Sequence, residues 1–213
     1  MPALNIAIVG AGIGGLTAAL TLDAAGHAVT LIERRTGFSE VGAGIQLSPN
    51  ASRVLIGLGL GAALRRAASE PPAVVVRALT SGAVIGGITL GAHLRERFGA
   101  PYYVIHRADL QTLLLDAVRS RPGIRLLVGR DVTGLAERPD GVDVTLESGT
   151  GTRTERFSSD LVIGADGVRS RLRGHLDGKD LRSGRAAAWR AIVPREALPP
   201  ELSGEATGLW LGP

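Results

Sequence analysis

The sequence predicts an α/β fold: a parallel sheet with an antiparallel β-meander, followed by the beginning of a β-rich second region. Three observations predict it. An apolar run at Leu4–Val9, a glycine-rich turn, a helix-length segment and a second apolar run at Ala28–Ile32 read as one βαβ unit. Three short segments, Val132–Glu137, Val142–Leu146 and Thr152–Phe157, are separated by turn residues, the pattern of a meander. Leu161–Gly164 is again short and apolar, as a buried parallel strand requires.

Taken in order, Leu4–Val9 is rich in Ile and Val and ends at Gly10, and Ile13–Ala25 is helical up to Gly26. Val41–Pro49 reads as a glycine-containing loop, and Ala51–Leu58 as a helix running into Gly57, Gly59 and Gly61. After Pro71-Pro72, Val74–Leu79 and Val84–Leu90 form a hairpin through Ser81-Gly82, outside the parallel sheet. Arg107–Arg119 places Leu110, Leu113, Leu114, Ala117 and Val118 at helical spacing and closes at Pro122-Gly123, and Ile124–Val128 returns as a strand. Gly174–Gly184 is polar and loop-like, Ala186–Val193 is expected to be a strand, and Gly208–Leu211 opens another before the sequence stops at Pro213.

The chain has 213 residues, room for one α/β domain and the start of a second. The domain division expected is 1–175, with a hairpin insertion at 73–100 that the resemblance described below assigns to a substrate side, and an incomplete domain at 176–213. Net charge is only +4, and the cations are arginine except for Lys179, with no stripe of cations interleaved with aromatics, so no nucleic-acid partner is expected. The absence of cysteine excludes disulfides, thiolate zinc sites and cysteine nucleophiles, and no metal site is expected. Met1–Leu22 lacks a basic leading segment and is interrupted by glycines, which argues for a cytoplasmic protein without a membrane partner.

Gly10-Ala11-Gly12-Ile13-Gly14-Gly15 matches G-x-G-x-x-G between a strand and a helix. Such a turn brings backbone N–H groups and the positive helix end against a pyrophosphate. Glu33, 18 positions after Gly15, closes the second strand where a ribose hydroxyl would be received. Together they predict a Rossmann-like dinucleotide site, open to either a flavin or a nicotinamide cofactor. Asp166 follows Leu161–Gly164 in a second strand-turn-helix passage through Ser170; it either receives a cofactor or caps a surface turn. Arg107 and Gln111 lie one turn apart on one helix, facing either one ligand or solvent.

The order of the glycine fingerprint, Gly42–Asn50, His106-Arg107 through Gln111, and Gly164-Ala165-Asp166-Gly167-Val168-Arg169-Ser170 resembles the single-component flavoprotein aromatic hydroxylases. The likeness is greatest to the salicylate hydroxylase and 3-hydroxybenzoate 6-hydroxylase branch. It implies an FAD-binding domain in which Gly10, Gly12, Gly14 and Gly15 line the pyrophosphate, Glu33 takes the ribose and Arg34 the adenosine side. It also implies that Gln46 lies close to the flavin, that Arg107 and Gln111 hold the ribityl-phosphate portion, and that Val132 and Asp166 complete the cofactor set, Asp166 also serving NAD(P)H.

The activity implied is an FAD- and NAD(P)H-dependent monooxygenase that forms a flavin hydroperoxide with molecular oxygen and hydroxylates a small phenolic or related aromatic acid; the alternative is a truncated, catalytically inactive FAD-binding fragment of such an enzyme. A homodimer is the assembly expected. No catalytic residue is assigned, because His27, His93, His106 and His175 read as surface or structural residues. Arg53 is either a ligand contact or a helix-surface residue, and Trp189-Arg190 either opens a substrate domain or is a core Trp beside a solvated Arg. Relatives carry a further Gly-Asp motif and C-terminal helices that these residues do not include.

Overall fold

The computed structural model describes residues 2–38, 44–148, 153–176, 193–199 and 204–212. The chain divides into two compact units, Met1–Glu40 with Leu110–Ala187 and Val41–Asp109 with Ala188–Pro213.

The first unit is built on a four-stranded parallel sheet. Its strands are β1 (Asn5–Val9), β2 (Ala28–Glu33), β7 (Ile124–Val128) and β11 (Leu161–Gly164), in the order β11-β1-β2-β7. Ile6 pairs with both Leu161 and Val29, so the two neighbours of β1 come from opposite ends of the unit's sequence. Helix α1 (Ile13–Ala24) connects β1 to β2, and Gly26 ends it with φ of 88°. Alternation along the strands gives the sheet two apolar faces. Ala7, Val9 and Ile32 join Val132, Val144, Leu146 and Leu172 in one cluster, which seats the sheet against the meander. The alternate residues Ile6 and Ile8 therefore point the other way, and α1, with Leu16, Ala19 and Leu20 fully buried, packs along β1, β2 and β7. Each such Leu or Ile side chain contributes roughly 1.5–3 kcal/mol through burial.

The meander is the expected one: β8 (Arg130–Arg138) and β9 (Gly141–Ser148) extend past the expected bounds at both ends, and β10 (Thr154–Ser159) is displaced two residues along the chain. A register irregularity between Val132 and Gly134 bends β8. The short helix α6 (Arg173–Leu176) follows β11.

In the second unit β3 (Gly44–Leu47) pairs antiparallel with β6 (Tyr103–His106), so the expected loop over Val41–Pro49 contains a strand. The glycine that suggested a loop opens that strand instead, with Val104 beside it. Helix α2 (Pro49–Leu55) passes through a π-turn at Ile56–Leu60, kinked at Gly59, into α3 (Gly61–Ala67), which the sequence reading did not anticipate. The hairpin of β4 (Ala73–Ala78) and β5 (Val84–Thr89) stands as expected, and β12 (Thr207–Leu211) adds to β4 in parallel. Helix α4 (Gly91–Phe98) precedes β6, and α5 (Arg107–Arg119), which belongs to the first unit from Leu110 onward, has the predicted bounds. The strand expected at Ala186–Val193 falls almost wholly outside the described residues.

Candidate dinucleotide site

Three adjacent parallel strands end at one edge of the sheet: β11, β1 and β2 deliver Ala165-Asp166, Gly10–Gly15 and Glu33 respectively. The order of connections reverses about β1, and in open α/β sheets the crevice for a ligand forms at the carboxyl ends of such strands.

The loop after β1 is fixed by backbone contacts. Gly10 donates to the Ile32 carbonyl at 2.8 Å, and Ala165 donates to the Val9 carbonyl at 2.8 Å. Gly10 has φ of 106°, and a Cβ there would collide with the Ala165 carbonyl; a Cβ on Gly15 would collide with the Gly10 carbonyl. These two glycines are required by the fold itself. Gly12 and Gly14 are different, since a Cβ on either meets no atom within 4 Å. Gly12 is also the N-cap of α1, with no side-chain capping bond and no acidic residue in the first turn. Open space above small residues, beside a helix end with no acidic residue in its own first turn, fits a phosphate-bearing ligand.

Glu33 reaches into the loop. Its Oε2 accepts from the Ala11 N–H at 2.9 Å and its Oε1 from the Arg35 N–H at 2.9 Å. An ionised carboxylate has about four acceptor positions, so capacity remains for ribose hydroxyls. Arg34 is exposed beside it. Gln111, on the buried face of α5, donates from Nε2 to the Ala11 carbonyl at 3.3 Å.

Asp166 ties down the turn that follows it. Its Oδ2 accepts from the N–H of Arg171 at 2.8 Å and of Leu172 at 3.4 Å. Burial works against its charged form, but hydrogen bonds from Ser170 and the Leu172 and Arg171 amides outweigh it and hold the carboxyl below its ordinary value. The loop is tied further by Arg173 Nη2, which donates to the Val168 carbonyl at 2.7 Å. Arg171 bridges to Asp131 at 2.7 Å, joining this loop to the start of β8. A cavity of about 180 Å³ lies there, lined by Val132, Thr133, Gly134, Leu135, Arg171, Leu172 and His175.

The structure thus brings together Gly10, Gly12, Gly14, Gly15, Glu33 and Gln111 around one loop, with Asp166 on the neighbouring strand's turn. Val132 is buried in the sheet–meander core. Gln46 on β3 and Arg107 at the start of α5 are exposed and belong to the second unit. Arg53 donates to the Phe98 carbonyl, which accounts for it structurally. Trp189-Arg190 lies outside the described residues. Sequence reasoning missed Ala11 and Ala165, small residues whose backbone atoms are what matter, and the Asp131–Arg171 bridge, for which spacing offers no signal.

A family model described as FAD binding domain matches residues 3–207. The chain belongs to that family. Within this FAD-binding family it is 41% identical over 209 residues to the 3-amino-4-hydroxybenzoate 2-monooxygenase PtmB3 of Streptomyces platensis, covering 98% of this chain and 51% of that protein. It is 33% identical over 210 residues to the 3-hydroxybenzoate 6-hydroxylase of Polaromonas naphthalenivorans strain CJ2, covering 99% and 51%. Among solved structures it resembles Klebsiella pneumoniae HpxO complexed with FAD and uric acid, with a TM-score of 0.68 and 31% identity over 82% of this chain and 42% of that one. The chain spans about half the length of the curated relatives it matches.

Proposed function

We propose that this chain forms the FAD-binding part of an aromatic-ring monooxygenase, with NAD(P)H and molecular oxygen as co-substrates and a small phenolic or related aromatic acid as substrate. The observation that carries the reading is the loop between Gly10 and Gly15, open above Gly12 and Gly14 and flanked by Glu33, Gln111 and the Asp166 turn. Relatives whose names specify hydroxylation of hydroxybenzoates support the substrate class. The net reaction consumes one aromatic C–H, O2, NAD(P)H and a proton, and yields a phenol, water and NAD(P)+.

Bound FAD supplies the redox chemistry, and the chain supplies position and electrostatics. Gly12 and Gly14 leave room for the pyrophosphate, and the first-turn N–H groups of α1 donate to it. Glu33 receives ribose hydroxyls, with Arg34 on the adenosine side. Asp166 holds the turn that shapes the crevice beside β1, and Val132 stands behind it in the core. Gln46 and Arg107 are proposed as further cofactor contacts, near the flavin and the ribityl-phosphate respectively. The division into an FAD-binding domain at 1–175, with 73–100 on the substrate side, and the opening of a substrate domain at 176–213 belongs to the same reading, as do a cytoplasmic location and a homodimer. The alternative reading is a chain that binds FAD without turnover.

The test is to supply FAD and follow NAD(P)H oxidation across a panel of hydroxybenzoates and aminohydroxybenzoates. Substrate-stimulated oxidation with a hydroxylated product establishes the monooxygenase. Binding of FAD with no stimulated oxidation establishes the alternative reading.

A further inference from the structure

Both polar atoms of the Ala11 peptide plane pair are engaged by side chains from distant parts of the sequence. The Ala11 N–H is taken by Glu33 Oε2 at 2.9 Å, and its carbonyl by Gln111 Nε2 at 3.3 Å. Ala11 itself is fully buried, between the two glycines that begin the fingerprint. A residue in this position belongs neither to β1 nor to α1 and lacks the ladder that would fix its backbone. Glu33 comes from the end of β2 and Gln111 from α5, 100 residues downstream of Ala11.

Gln111 is unusual on its helix. The other buried residues of α5 are Leu110, Leu114, Leu115 and Val118, and Gln111 is 7% exposed among them. An amide is carried into such a place at a cost unless it is hydrogen-bonded, and no buried side-chain polar atom among the described residues lacks a partner. A leucine would serve the packing. What glutamine adds is a donor aimed at the loop.

We infer that Gln111 is a positioning residue that fixes the glycine-rich loop through the Ala11 carbonyl before any cofactor arrives, with Glu33 holding the opposite side of the same residue. The loop is then preorganised, and the ordering that binding would otherwise demand is already in place. This role acts within the free chain and is separate from any contact Gln111 makes to the cofactor. It rests on the FAD reading only for the identity of the ligand that benefits.

The experiment compares the wild-type chain with Gln111→Leu, measuring backbone hydrogen–deuterium exchange without FAD and FAD affinity by flavin fluorescence. The expected result is that the segment 10–16 exchanges roughly five- to tenfold faster in Gln111→Leu, as loss of one hydrogen bond implies, a larger acceleration than in β7, and that FAD binds more weakly. Unchanged exchange at 10–16 in the free variant overturns the inference, whatever happens to FAD affinity. Should Gln111→Leu not fold, the side-chain NH2 of Gln111 in the free wild-type chain decides by NMR: slowed exchange supports the bond to Ala11, and exchange at the rate of an exposed amide overturns it. A wild-type chain that does not bind FAD would defeat the FAD reading while leaving both exchange measurements decisive.

Discussion

The carbonyl of Ala165 occupies the place where a side chain on Gly10 would go. The glycine fingerprint and the Asp-Gly passage, more than 150 residues apart, are therefore two faces of one contact between neighbouring parallel strands. The Ala165 N–H bond to the Val9 carbonyl closes the same contact from the other side.

That contact separates the glycines by role. Gly10→Ala has both a positive φ and a backbone collision against it, so a loss of about 2–4 kcal/mol is expected. At Gly12, by contrast, an added Cβ meets no atom of another part of the chain within 4 Å, which makes Gly12→Val the informative variant. It should leave the thermal midpoint within a few degrees of wild type while weakening FAD binding at least about tenfold, because the side chain fills the space for the pyrophosphate. Thermal unfolding and an FAD titration on the two variants check this; a reversed pattern would contradict the assignment.

Asp166 gives a pH-dependent prediction. Its carboxyl is held below its ordinary value in the folded chain, so the unfolded state binds the proton more tightly. The stability it contributes is present in full above the ordinary carboxylate value and is lost as pH falls through the lower folded value. Asp166→Ala should cost about 0.5–1.5 kcal/mol at neutral pH, the range for a lost hydrogen bond. The gap between wild type and variant should close in the acid range, as measured by urea unfolding at a series of pH values.

Strand β5 exposes Val84, Ile85 and Ile88 at 58–63% and carries no charged residue. An uncharged apolar edge strand promotes association between chains. Ile88→Lys should reduce concentration-dependent light scattering and leave FAD affinity unchanged. Equal scattering from both proteins would show that this edge does not drive association.

Ser52 is fully buried and donates its hydroxyl to the Pro101 carbonyl. Ser52→Ala leaves that carbonyl without this donor and should lower stability by about 1–3 kcal/mol. Ser52→Thr keeps the donor but adds a methyl to a closed site, and is expected to recover only part of the loss. Denaturant midpoints for the three proteins report the difference.

The parallel strands, α1, α5 and the meander were legible because periodicity and turn residues speak for elements whose cores are local. Helix α5 matched at both ends, since Leu110, Leu114 and Val118 repeat along one face and Pro122-Gly123 stops it. Strand β3 carries a loop pattern in the sequence because Gly44 and Gln46 give no strand signal, and its pairing with Tyr103–His106 is set by tertiary contact. Helix α3 was hidden by glycines that kink the chain and do not end it. At the site, the glycines, Glu33 and Gln111 were readable as residue types with a purpose, and Asp166 as one of two roles. The joining of Gln111 to Ala11 was not readable, because a buried donor on a distant helix leaves no mark in spacing.

The most direct test of the account is a titration of the chain with FAD, read by flavin fluorescence, beside the same titration of Gly12→Val. The account predicts saturable one-to-one binding by the wild-type chain and strongly weakened binding by a variant that remains folded. Equal affinity in both proteins would contradict the placement of the cofactor over the Gly10–Gly15 loop, and a folded wild-type chain that leaves FAD fluorescence unaltered would contradict the site itself.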